Sequence, residues 1–253
     1  MAGAPLRPGL LYGINPALEA LRAGLARRLY ISLRRREKVQ ELLRLAQGVE
    51  VRWVPQEFFR GFPKGHQSVA VQLKREPLVG LKELLELPGP EPALFVVLDR
   101  VSDPRNLGAI IRTAYLSGAH AVVLQRHRAA ALSPEAYKAS AGAALLMPIC
   151  VLPNVKTALD AMLQEGITIF GAEAQGGLYP WEADLTQPLA LLMGSEGEGL
   201  REVLKRRCQA LLSLPMKGPA VGSLNVSVAA GMLLYEILRQ RRRKIEKGAH
   251  NQK

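Results

Sequence analysis

Three short segments of this chain carry polar residues at spacings that could do chemistry: Asn106 and Arg112 in NLGAIIR, Glu196 in GSEGEG (194–199), and Ser223 and Asn225 in LPMKGPAVGSLNVSVAAGMLLYE from Leu214. The glycine spacing GxxGxG is neither the GxGxxG of dinucleotide folds nor the GxxxxGK[ST] phosphate loop, and Ser195 lacks the GxSxG nucleophile elbow. What such a loop offers is main chain brought close to a ligand, because Gly194, Gly197 and Gly199 carry no Cβ. Read alone, Arg112 divides evenly between a surface ion pair and a clamp on an RNA phosphate, and Glu196 reads as a carboxylate complementing a helix start. His66, His120, His127 and His250 are dispersed, which leaves no parts for a metal site or a Ser-His-Asp triad. Cys150 and Cys208 are isolated in apolar or helical context, so both read as core fillers, and no metal is expected.

Positioning these residues requires strands that end where the polar motifs begin. From Ala93 onward apolar strands alternate with helices: ALFVVLD, a helix over 108–116, HAVVL, a helix near Glu135, MPICVL, a helix over 155–164, ITIFGA, LALLMG, a helix over 200–207, ALLSL, and a last helix opening on Ser223 as its N-cap. Near-continuous apolar strands in this order predict an α/β fold with a mostly parallel sheet covered on both faces. The three motifs follow ALFVVLD, LALLMG and ALLSL, the strand ends where such sheets bind ligands. Upstream, Asn15-Pro16 with Leu18, Leu21 and Leu25, then RLYIS, a helix over 37–47, VEVRWV and VAVQL predict a small α/β unit over residues 1–76. Residues 77–92, rich in Pro and Gly around LKELLEL, read as a linker, and 93–253 as the unit carrying the motifs.

Charge is segregated along the chain. Residues 1–76 hold 14 Lys/Arg against 6 Asp/Glu, residues 239–253 hold 7 against 1, and the stretch between holds 13 against 15. A polyanion is thus expected to meet the N-terminal unit and the basic C-terminal tail, although each basic run alone reads as a solvated face. No apolar run reaches the roughly 18 residues of a membrane span, and MAGAPLRPGLLYG lacks the marks of a secretory leader, so a cytoplasmic location and no membrane partner are expected.

Together the three segments resemble the motifs of the SpoU (TrmH-like) family of RNA ribose 2′-O-methyltransferases, within the SPOUT superfamily, over residues 94–243. The resemblance implies an α/β-knot: a mostly parallel sheet whose chain is tied into a deep trefoil near the second and third motifs, where periodicity alone predicts an ordinary doubly wound sheet. It implies S-adenosyl-L-methionine held by Gly194, Leu214 and Leu224, with Asn106, Arg112, Glu196, Ser223 and Asn225 as the functional polar residues. It also implies a homodimer and, since YGINPALEAL and HQSVAV resemble the ribosomal-protein-like domain of 23S rRNA guanosine 2′-O-methyltransferases, large-subunit ribosomal RNA as substrate. The rival readings are a tRNA ribose methyltransferase of the same fold, which commonly lacks the N-terminal unit, and a non-catalytic RNA-binding or ribosome-assembly protein, whose motifs would be damaged. Two departures stand out. The spacing from Gly218 to Ser223 is one residue longer than the family's, so Leu224 is assigned through its attachment to Ser223 and Asn225, and Ser68 stands where glycine is usual.

Overall fold

A computed structural model describes residues 9–35, 39–75, 78–218 and 222–250, with side chains of the last helix described to Lys247. The N-terminal unit is built on a four-stranded sheet of β1 (Leu10–Tyr12), β2 (Ala26–Ser32), β3 (Glu50–Val54) and β4 (Val69–Leu73) in the order β1-β4-β2-β3. Its alternation decides what covers each face. Leu29, Ile31 and Val71 join the apolar residues of α1 (Ile14–Arg22) and α2 (Val39–Leu45), while Tyr12, Tyr30 and Ala70 meet Phe59 on the other face. Strand β1 escapes sequence reading because three residues beside a glycine show no periodicity. Residues 36–38, which include the start of the helix expected over 37–47, lie outside the described residues.

Ser68 adopts φ 56°, a left-handed conformation that glycine adopts without strain. Its hydrogen bonds hold it there. The Ser68 amide donates to His66 Nδ1 at 2.8 Å, Gln56 Nε2 donates to Ser68 Oγ at 3.0 Å, and the Ser32 amide donates to the Ser68 carbonyl at 3.0 Å.

The second sheet contains β5 (Leu94–Leu98), β6 (Ala121–Gln125), β7 (Ile149–Leu152), β8 (Thr168–Ala172), β9 (Leu189–Met193) and β10 (Ala210–Leu212), all parallel, in the order β10-β8-β9-β5-β6-β7. Both faces are buried, as the unbroken apolar runs require. Leu94, Val96, Leu98, Leu189 and Leu191 pack under α4 (Pro104–Leu116), α5 (Pro134–Ala139) and α8 (Val226–His250); Phe95, Val97, Ala190 and Leu192 pack under α3 (Leu81–Glu86), α6 (Lys156–Gln164) and α7 (Glu202–Lys205). The segment read as a linker is packed from Leu78 onward. Leu78 bridges to Ile149 beside edge strand β7, and Leu84 of α3 is fully buried. The two units also touch, since α5 packs on β1 and α1.

The helix read over 200–207 is shorter, Glu202–Lys205, and the starts of the two helices that carry motif residues also differ from the sequence reading. Helix α4 begins at Pro104, four residues earlier than expected, because the Asp103 side chain caps it by accepting from the Arg105 amide at 2.8 Å and proline suits the first helical position. Gly108 is therefore inside the helix, and it is needed there: an added Cβ would lie 2.6 Å from Ala139 Cβ and 2.8 Å from the Ser140 amide nitrogen that follows α5. Helix α8 is capped by Asn225, not Ser223, with Asn225 Oδ1 accepting from the Ser227 amide at 2.9 Å and the Ser227 hydroxyl at 2.6 Å. Both serine and asparagine are good caps, and only the chain path chooses between them.

Candidate active site

The C-terminal ends of β8, β9 and β10 stand side by side, and the start of α8 closes over them. Between them lies a cavity of about 460 Å³ lined by Glu173 beyond β8, Gly194 to Gly199 beyond β9, Leu212, Leu214 and Met216 from β10 onward, and Ser223 to Val226. Gly194, Leu214 and Leu224, Glu196, Ser223 and Asn225 all line it. The loop between Gly218 and Gly222, where the unusual spacing falls, lies outside the described residues.

The glycine loop is a tight reversal. Ser195 and Gly199 exchange backbone hydrogen bonds of 3.2 and 3.0 Å, with Gly197 and Gly199 at φ 91° and 65°. Gly194 lies so close to the returning strand that a methyl group there would overlap the backbone of Gly199 and Leu200. Beneath the loop, Asp99, fully buried at the end of β5, accepts two hydrogen bonds from Arg201 at 2.9 and 2.7 Å, and Arg201 also reaches Gln125 Oε1 at 3.1 Å. Arg100 Nη1 donates to Glu198 Oε2 at 2.7 Å. These pairs fix the C-terminal side of the loop, a role that sequence reading missed. The available signal was a charged residue closing the otherwise apolar strand ALFVVLD.

Across the cavity mouth Asn225 Nδ2 donates to Asn106 Oδ1 at 3.1 Å, and Asn106 Nδ2 donates to Glu196 Oε1. Three residues 119 and 90 positions apart thus form one polar chain. Arg112 is not part of it. It lies nine residues into α4, roughly 12 Å of helix rise from the helix start, is exposed, and makes no hydrogen bond or ion pair among the described residues. The expected position near the helix start is corrected by the earlier cap at Asp103. Arg112 shares its helix face with Leu116, which is 68% exposed, next to Tyr115. The cysteines stand apart from this chemistry: burial raises the Cys150 thiol and pushes the Cys208 thiol up to about 11, which keeps both protonated near neutral pH.

The cavity suits a nucleoside carrying a positive centre. Leu212, Leu214, Met193 and Leu233 offer an apolar seat, backbone groups of Gly194 and Leu214 are at hand, and Glu196 supplies negative charge, whereas the neighbouring Glu173 and Glu198 are paired with Lys205 and Arg100. Ser195 Oγ is buried without a hydrogen-bond partner among the described residues, leaving a donor for a ligand.

Residues 93–235 match the model of the SpoU rRNA Methylase family. The chain belongs to that family. It is 39% identical to an uncharacterized tRNA/rRNA methyltransferase of Mycolicibacterium smegmatis over 92% of this chain and 77% of that one. Among solved structures it resembles the SpoU methyltransferase AviRb from Streptomyces viridochromogenes in complex with AdoMet, with a TM-score of 0.80, 28% identity, and coverage of 93% of this chain and 91% of the other. It also resembles an RNA 2′-O ribose methyltransferase, with a TM-score of 0.74, 27% identity and coverage of 92% and 88%. As a SpoU protein the chain is an RNA methyltransferase that uses S-adenosylmethionine, and its fold is the SPOUT fold. Because the cavity presents carboxylates and backbone but no clustered metal ligands among the described residues, cofactor affinity measured by calorimetry is expected to be unchanged by a chelator.

Proposed function

We propose that this protein methylates the ribose 2′-hydroxyl of a guanosine in large-subunit (23S) ribosomal RNA, in the cytoplasm and as a homodimer. The observation that carries the reading is the Asn225–Asn106–Glu196 chain at the mouth of the β8–β9–β10 cavity, which joins all three sequence motifs at one place. The resemblance to an RNA 2′-O ribose methyltransferase and the description of the family as rRNA methylases support ribose and ribosomal RNA. The guanosine rests on the likeness of residues 1–76 to the N-terminal domain of guanosine-specific members. The trefoil threading of residues near Gly194 to Asn225 is part of the same proposal.

When bound, S-adenosylmethionine supplies an electrophilic methyl carbon on a sulfonium centre. Gly194, Leu214 and Leu224 would hold its adenosine, and Glu196 would offset its positive charge. A ribose hydroxyl is a weak nucleophile, so the chain must aim it and provide a route for its proton. Asn106 and Asn225, hydrogen-bonded to each other, would hold the ribose together with Ser223. Arg112 cannot serve as a base, because a guanidinium keeps its proton. Its role here is to bind the phosphate beside the reacting ribose while the proton leaves through phosphate or water.

That role calls for a second copy of the chain. Val228, Met232 and Tyr235 form an exposed stripe on α8, the last 67% exposed, beside the seam where Gly231 meets Thr113 of α4. With Tyr115 and Leu116 they make an apolar face of the kind that marks an interface. Arg112 borders that face, so pairing two copies through it would carry each Arg112 toward the other copy's cavity.

Mapping 2′-O-methyls in RNA from cells with and without this protein tests the assignment. Loss of one guanosine methyl in large-subunit RNA is the expected result; loss of a tRNA methyl instead, or of none, overturns it. The N-terminal unit is proposed to grip RNA through exposed cations such as Arg60 and Lys64. The double variant Arg60→Gln, Lys64→Gln should weaken RNA binding and make its dependence on log salt shallower by roughly 0.7 to 0.9 for each phosphate no longer neutralised. An unchanged slope in filter binding would show that these cations do not meet the backbone.

A further inference from the structure

A second basic and aromatic surface lies away from the motif residues, on the outer part of α8. Not all of the run RQRRRK is available to a ligand. Arg241 turns inward, donating to the carbonyls of Pro92 and Ala93 at 2.8 Å and of Gln187 at 3.0 Å, and Arg239 is held by both oxygens of Glu236 at 2.7 Å. Arg243 and Lys247 are different: they are exposed and have no ion pair among the described residues. With Lys244 they line one side of a groove of about 410 Å³ whose opposite wall is Trp181.

Trp181 is 56% exposed, an unusual state for a tryptophan in a hydrogen-bonded turn. The turn is fixed. Gln240 of α8 donates to the Pro180 carbonyl at 3.1 Å and accepts from the Leu185 amide at 3.0 Å, and the Glu182 carboxylate accepts from the Tyr179 amide at 2.8 Å. Tyr179 stacks on Trp181 with ring centroids 5.0 Å apart and planes 23° apart. The pair makes a preformed flat platform beside Arg243 and Lys247, which are about 6 Å apart along the helix. Tyr179 and Lys217 also line a recess of about 470 Å³ that shares Ala174, Leu214 and Met216 with the methyl-donor cavity. A continuous path therefore runs from that cavity through the recess, over the aromatic pair and onto α8.

The geometry points to a subsite for single-stranded RNA flanking the target nucleotide, in which Tyr179 and Trp181 stack a base and Arg243, Lys244 and Lys247 hold the adjoining phosphates. Flat apolar faces next to unpaired cations suit a nucleotide strand, which offers π-faces and phosphates in alternation. A membrane surface would need a broader apolar face, and an acidic peptide would leave the stacked rings unused. The inference rests on the RNA methyltransferase reading and adds which side of the cavity the strand leaves by.

The chain has two tryptophans, so in a full-length Trp53→Phe protein the emission comes from Trp181. Titration with a uridine oligonucleotide about ten residues long should quench that emission saturably, with an affinity that falls steeply as salt rises. Trp181→Ala should weaken binding by roughly tenfold or more, Trp181→Phe should largely restore it, and Arg243→Glu with Lys247→Glu should do at least as much damage as the alanine. In methyl transfer to ribosomal RNA these variants should raise KM with little change in kcat. Unquenched Trp181 in a protein that retains the oligonucleotide on a filter, or wild-type KM in both the alanine and the double-glutamate variants, overturns the subsite. Dissociation of a dimer by Trp181→Ala on a sizing column would assign the pair to a contact between copies and also overturn it. Absence of methyl transfer to ribosomal RNA by the wild-type protein would instead sink the proposed ribosomal-RNA substrate, so the two failures are distinct.

Discussion

Arg112→Ala is expected to lower methyl transfer to ribosomal RNA by roughly 10²-fold or more while leaving S-adenosylmethionine affinity and the melting temperature near wild type. Arg112 makes no hydrogen bond or ion pair among the described residues, so its removal breaks nothing within them, and an exposed substitution of this kind shifts stability by about 0.5 kcal/mol at most. The same exposure sharpens the test. If Arg112 serves the site of a second copy, mixing Arg112→Ala with Asn106→Ala should regain about a quarter of wild-type activity, because half of the randomly formed dimers would contain one intact site. Normal turnover in a well-folded Arg112→Ala protein would remove the phosphate-binding role. Inactivity of both variants together with no recovery on mixing would place Arg112 at its own copy's site.

Gly194→Ala is expected to weaken S-adenosylmethionine binding by roughly 10- to 100-fold, the equivalent of the about 1–3 kcal/mol that overpacking costs in a close-packed site. The added methyl would overlap the main chain of Gly199 and Leu200, and this segment cannot simply move aside. Arg201 is held by the buried Asp99, and Arg100 holds Glu198, so displacing the loop disturbs two ion pairs as well as the cavity wall. Calorimetry on the variant, together with a thermal melt, checks this. Wild-type affinity would mean that the loop relaxes without altering the cavity and that Gly194 is not part of the adenosine seat.

A contrasting substitution is Gly197→Ala, where an added Cβ meets nothing within 4 Å and the cost is confined to the φ of 91°. Two glycines three residues apart in the same motif are therefore required for different physical reasons, one for space and the other for backbone conformation.

Much of this protein was legible in its residues. The six parallel strands appear where unbroken apolar runs predict them, since a strand covered on both faces has no polar side to obscure it. The cavity lining includes Gly194, Leu214, Leu224, Glu196, Ser223 and Asn225 because each motif follows a strand whose end the parallel topology must bring to one edge. Periodicity could not give the strand order, in which β9 enters between β8 and β5, nor the short β1, whose register comes entirely from pairing with β4. Tertiary structure alone made Asn225 the cap of α8 and joined it to Asn106. It also turned Arg241 inward while leaving Arg243 and Lys247 without ion pairs among the described residues, in an otherwise uniform basic run. Local sequence determines which segments form strands and helices, because that depends on burial patterns a few residues long. Which polar groups meet across 90 or 119 positions depends on how those elements pack, and packing is a property of the whole chain.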